Sequence, residues 1–130
     1  MLGSSRYVAA RSHESMDLHE QLRDSAVILK PSGRIDHRTA TAFGDALQPY
    51  LERCRDGQGS LVLDLAETEY MSSVGLRVLV VAARQVKPQA GRLVVCGLQP
   101  VMREIFEISR FHLLFDIYDS TDDAVAALAA

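Results

Sequence analysis

Two short apolar runs, residues 60–65 and 92–97, are each bounded by turn residues and each flanked downstream by a stretch with helical apolar spacing. That alternation confines the chain to strand–helix units packed as a sheet with helices on it. The first run, Ser60-Leu61-Val62-Leu63-Asp64-Leu65, is apolar at consecutive positions, as in a strand covered on both faces of a largely parallel sheet, and it predicts the central strand. After it, residues 74–86 are apolar on most sides, with Arg77 and Arg84 on a narrow polar face, which predicts a mostly buried helix.

The rest of the chain falls into the same grammar. Phe43, Ala46, Leu47, Tyr50, Leu51 and Cys54 form one stripe of an amphipathic helix beginning near Arg38, with Pro49 predicted to kink or split it near Gln48. Pro100 opens a third helix with Val101, Ile105 and Ile108 on one face. Residues 115–118 predict a last short strand, and Ser120, Thr121, Asp122 and Asp123 cap a terminal helix. At the other end, a weak strand over residues 16–22 precedes a stronger one over 26–30, stopped at Pro31, with Gly33 at a turn or bulge. A length of 130 residues accommodates one domain. The expectation is an α/β fold: residues 16–130 as a single domain, a mixed, mainly parallel sheet of about four to five strands with about four helices. Residues 1–15, polar and without a period, read as a disordered extension or cloning remnant.

Charge and composition narrow the function. A formal net charge of −3 and no cationic cluster denser than Arg53 with Arg55 give no footprint for direct nucleic-acid binding. No segment reaches the ~20 apolar residues of a membrane span, and the opening residues lack a secretory signal's apolar stretch, so a cytoplasmic protein is expected. Cys54 and Cys96 have neither C-x-x-C nor histidine spacing and read as reduced thiols. His13, His19, His37 and His112 have no metal-ligand spacing and read as surface histidines. Neither phosphate-cradling glycine loop is present, nor a G-x-S-x-G elbow, so no catalytic residue is assigned and the chain reads as something other than an enzyme.

In an open α/β sheet, functional groups gather beyond the carboxyl ends of the parallel strands. That rule selects Asp36, Ser72 with Ser73, and Gly97 with Leu98, expected along one rim. A serine at a helix N-terminus either caps the helix or stands where a phosphate would meet its positive end. Asp36 likewise either caps the helix from about Arg38 or, as a rim residue, contacts a partner or nucleotide. Asp64, inside an apolar strand, reads as a hydrogen-bonded structural acid.

Three stretches then resemble the STAS domains of bacterial anti-sigma factor antagonists: Gly33-Arg34-Ile35-Asp36, then Leu63-Asp64-Leu65 running on to Met71-Ser72-Ser73-Val74-Gly75-Leu76, then Arg92-Leu93-Val94-Val95-Cys96. The likeness spans residues 18–130. It implies that the unphosphorylated protein binds an anti-sigma factor that is itself a serine kinase, so freeing a sigma factor. Phosphorylation would switch the binding off and a serine phosphatase would restore it. Aligned on Gly75, the family's aspartate, serine, hydroxyl residue, glycine loop becomes Ser72, Ser73, Val74 and Gly75. The resemblance therefore implies phosphorylation at Ser73, with Ser72 as second choice, and a partner surface of Asp36, Ser72, Ser73, Val74, Gly75 and Arg77. No cofactor or metal is implied. Val74, lacking a hydroxyl, favours an alternative in which a STAS scaffold binds partners without being phosphorylated. A two-component receiver domain ranks lower: Asp64 fits loosely, but no acidic pair follows the first strand and the last lysine is Lys87. A leading edge strand also leaves room for a homodimer.

Overall fold

The computed structural model of the protein describes residues 16–129 and the backbone of residues 5–9. Strands β1 (Ser5–Ala9), β2 (Asp17–Arg23) and β3 (Ala26–Ile35) form an antiparallel meander. Helix α1 (Ala40–Arg53) leads to β4 (Leu61–Asp64) and β5 (Thr68–Met71), then α2 (Ser73–Val86), β6 (Leu93–Cys96), α3 (Pro100–Ile108), a 3-10 turn (Phe111–Leu113), β7 (Ile117–Tyr118) and α4 (Thr121–Ala129). The strands lie in the order β1-β2-β3-β4-β6-β7, parallel from β3 onward, and β5 pairs with β3 off this path. The single α/β domain with a mixed, mainly parallel sheet and four helices is thus present among the described residues, with seven strands where four to five were expected.

The two extra strands have physical reasons. Residues 5–9, read as part of a mobile extension, carry no apolar alternation yet pair along β2 from Ser5↔Gln21 to Ala9↔Asp17, so order there comes from the backbone ladder. The rest of residues 1–15 lies outside the described residues. Strand β5 is short and largely polar in sequence, and only its ends, Thr68 and Met71, are buried. It takes β4's place beside β3. Val27 to Leu29 face β4, and after a register shift at Gly33, Arg34 and Ile35 face Tyr70 and Met71. Gly33 adopts φ 96°, which a side-chain-bearing residue would strain to hold. Pro31 falls between the two parallel pairings, so β3 runs on through it where a stop was expected.

The sheet separates two cores. Leu29, Leu61, Leu63 and Val95 pack with Phe43 and Leu47 of α1, Leu79 and Ala82 of α2, and Met102 and Phe106 of α3. On the opposite face Ala26, Ile28, Val62, Val94 and Cys96 meet Ala124 and Val125 of α4. All four residues of β4 are buried, as a central strand requires. Helix α1 continues unbroken past Pro49, which lies on the exposed side, where the carbonyl that loses its partner can turn to solvent. Helix α2 is less buried than expected: Val74 and Val81 stand out with Arg77 and Arg84. Helix α3 is turned from the predicted face, of which only Ile105 packs against the core. Met102 and Phe106 point inward, with Phe106 edge-on to Phe111 at 5.2 Å between ring centroids, while Val101 and Ile108 face solvent.

Candidate functional site

The pairing of Ile35 with Met71 sets the ends of β3 and β5 side by side, and the Ser72 N–H donates to the Ile35 carbonyl at 2.8 Å. The loops that begin at Asp36 and at Ser72 therefore emerge as neighbours. Because β5 lies between β4 and α2, Ser72 and Ser73 follow β5, a strand not anticipated in the sequence. Gly97 sits elsewhere: a Cβ on it would lie 2.8 Å from Asp64 Oδ1 and 3.2 Å from the Ala66 Cβ, beyond the end of β4. Along the carboxyl edge of the parallel strands the expected residues thus fall into two groups, Asp36 with Ser72 and Ser73, and Gly97 with Leu98.

In the first cluster the two serines divide the available roles. Ser72 is the N-cap of α2, in extended backbone, and its Oγ accepts the Gly75 N–H at 3.3 Å. Ser73 is the first helical residue, exposed, and its hydroxyl has no protein partner among the described residues. Val74 beside it is 46% exposed. Gly75 is buried against the end of β3: a Cβ there would stand 2.8 Å from the Ile35 carbonyl oxygen and 2.6 Å from Met71 Cγ. Only hydrogen fits. The first turn of α2 is thereby pressed onto β3, which fixes where Ser73 projects.

Asp36 does not cap α1 with its side chain. Its Oδ1 accepts the Arg38 N–H at 2.9 Å, its own N–H donates to Thr39 Oγ1, and its carbonyl accepts the N–H groups of Thr39 and Ala40. The buried Thr39 hydroxyl in turn donates to the Arg34 carbonyl at 2.8 Å. The Arg38 N–H, aided by the charge of His37 and by the Thr39 and Arg34 neighbours against slight desolvation, holds the Asp36 carboxyl below its ordinary value. The loop thus offers a fixed negative charge beside Ser72. Arg34 also lies over the Tyr70 ring, 4.5 Å from its centroid, stiffening the β3–β5 pair.

Arg77, one turn beyond Ser73, borders an apolar groove of about 330 Å³ between α1 and α2, lined by Gly44, Val74, Val78 and Val81. Sequence reading missed this groove, although Gly44 on a helix facing Val78 was a signal that two helices approach closely there. Asp64 is a hydrogen-bonded structural acid, on the other face. Its carboxylate accepts the Ala66 N–H and the Thr121 hydroxyl, with the Lys30 ammonium 3.9 Å away. Burial, then the charge of Asp64, pushes the Cys96 thiol up to about 11, and burial raises Cys54 as well. Both are free cysteines. His37 and His112 are exposed, His19 is half-buried, and His13 lies outside the described residues. Among the described residues no cluster of metal ligands forms, and no helix is long and apolar enough to cross a membrane.

The STAS domain family model matches residues 17–124. BtrV of Bordetella bronchiseptica, which bears the name of an anti-sigma factor antagonist, is 45% identical over 71 residues, 55% of this chain and 61% of BtrV. The chain therefore matches less than two thirds of that relative. The anti-sigma-B factor antagonist of Listeria monocytogenes is 34% identical over 86 residues, 66% of this chain and 73% of that protein. Among solved structures, an anti-sigma factor antagonist from Mycobacterium paratuberculosis superposes with a TM-score of 0.79 at 26% identity, covering 92% of this chain and 98% of that one.

Proposed function

Since this chain belongs to the STAS domain family, we propose that it works as an anti-sigma factor antagonist, a switch protein of the bacterial cytoplasm and not a catalyst. In its unphosphorylated form it binds an anti-sigma factor that is a serine kinase, through Asp36, Ser72, Ser73, Val74, Gly75 and Arg77, and so releases a sigma factor. The kinase phosphorylates Ser73, which ends the binding, and a serine phosphatase reverses it. The observation that carries this reading is the division of labour at the start of α2: Ser72 makes the cap, so the exposed Ser73 hydroxyl is free for chemistry at no cost to the helix.

A phosphate on Ser73 would bring roughly −1.5 to −2 charges. It would meet the positive end of α2, which tolerates it, and the carboxylate loop at Asp36, which adds to a field that repels an acidic partner surface. The two forms then differ in what they present to a partner while keeping the same fold, and the partner's difference in affinity carries the signal. Val74 supports a second reading, in which the same exposed surface binds a partner constitutively.

The test is incubation with the cognate anti-sigma kinase and ATP, read by intact-mass and tandem mass spectrometry. One phosphate on Ser73, absent from Ser73→Ala, with Ser73→Asp binding the kinase at least about tenfold more weakly, is the expected result. A kinase that binds the protein tightly, phosphorylates another substrate and leaves Ser73 untouched would favour the constitutive reading.

A further inference from the structure

At the far end of α2 from Ser73, the C-terminal turn of the helix, the start of β6 and the loop from the 3-10 turn into β7 enclose a groove of about 510 Å³. Its volume is in the range of recognition pockets. Arg84 enters it from the last turn of α2, Lys87 from the residue that caps that helix, Arg92 from just before β6, and His112 from the 3-10 turn. All four are exposed, and none forms an ion pair among the described residues. Arg92 only touches the Ala127 carbonyl, at 3.5 Å. Two of these cations have a local explanation, since positive charge near a helix C-terminus offsets its dipole. Arg92 and His112 come from other elements and have no such account. In a chain of net charge −3, the groove gathers three cations and a histidine against one carboxylate, Asp116. Leu113, 72% exposed, and Leu114, 45% exposed, add apolar surface to the same groove.

We propose that this groove is a second docking surface, for an acidic amphipathic segment of a partner protein: carboxylates against Arg84, Lys87 and Arg92, with apolar side chains against Leu113 and Leu114. Charge complementarity names the occupant, and the two leucines distinguish a peptide from a bare polyanion. The inference is independent of the Ser73 reading. Helix α2 has 14 residues, which at the helical rise separates the two sites by ~20 Å, so both can be occupied at once.

The experiment is a titration of the ¹⁵N-labelled full chain, followed by amide chemical shifts, with three short peptides: a Leu/Glu amphipathic helix, a Leu/Lys helix of the same pattern, and oligoglutamate. The expected result is saturable shifts confined to residues 84–94 and 112–116 with the Leu/Glu peptide alone, weakened by added salt. The double substitution Arg84→Glu with Lys87→Glu should weaken binding at least about tenfold, and Leu113→Ser with Leu114→Ser comparably; all four side chains are exposed, so the fold is preserved. Any of four results overturns the proposal: no shift in the groove, equal shifts with the Leu/Lys helix, equal shifts with oligoglutamate, or shifts at the same residues that grow with protein concentration alone and mark a second copy as the occupant.

Discussion

Three helices cover one face of the sheet and a single nine-residue helix covers the other, and the two interfaces are built from different chemistry. On the α1–α3 face, large side chains such as Phe43, Leu79, Met102 and Phe106 are fully buried, and stability follows from filled volume. On the α4 face the helix offers only Ala124, Val125 and Leu128, so polar ties do part of the holding: Thr121 to Asp64, and Arg23 to Asp122 at 2.8 Å. The difference teaches on what footing the proposed switch surface stands. Ser73 begins a helix of the heavily packed face, so its position is set by filled core volume, whereas α4 depends in part on interactions that respond to charge.

Core truncation tests the contrast most strongly. Phe43→Ala should cost about 3–5 kcal/mol in urea unfolding, whereas Val125→Ala, losing about two methylene equivalents under α4, should cost about 1.5 kcal/mol. Equal losses would erase the distinction between the faces. Next in size, Asp64→Ala leaves the Thr121 hydroxyl and the Ala66 N–H without their acceptor and should cost about 1–3 kcal/mol. Hydrogen exchange should then accelerate in α4 before it does in α1 or α2; uniform acceleration would show that α4 is not held separately.

Titration sharpens the comparison at smaller amplitude. The Cys96 thiol, raised to about 11 from an ordinary 9.0, stays protonated in the folded state where the unfolded chain would ionise. Its contribution is therefore complete below pH 9 and fades as pH climbs through 11, so wild type should lose stability over that interval relative to Cys96→Ala. Thiolate absorbance checks the midpoint. Asp36, on the other face, has a lowered carboxyl, so its contribution is present above the ordinary carboxylate value and lost as pH falls through the depressed one. Because this loop is solvent-exposed, the effect should be the smallest of the series, seen as a slightly shallower acid limb in thermal unfolding of Asp36→Asn. An unshifted Asp36 carboxyl in an NMR titration would remove the Arg38 N–H as its holder.

Much of this was legible in sequence because burial was written in uninterrupted form. The runs around Leu61–Asp64 and Leu93–Cys96 became β4 and β6, and the stripe from Phe43 to Cys54 became the inner side of α1. Asp123 donates its N–H to Ser120 Oγ at 3.1 Å, as the caps at 120–123 promised. What escaped was whatever the rest of the fold decides. Strand β5 exists because β3 extends past Pro31 and offers it an edge, which no pattern in Thr68–Met71 reveals. In α3, Val101 and Ile108 lost the interior to Met102 and Phe106, whose neighbour Phe111 comes from the following turn, and only Ile105 of the expected face packs on the core. At the site, spacing found both serines, but only the Gly75 N–H direction tells which of them is the cap.

That same Gly75 has an evolutionary corollary. A residue with no side chain to offer is pinned between Met71 and the Ile35 carbonyl, so even alanine must prise α2 off the sheet. In a library varying residues 72–77, the position with least chemistry should admit the fewest replacements. Val74 and Arg77, exposed on the same stretch of helix, should accept replacement without re-engineering the scaffold.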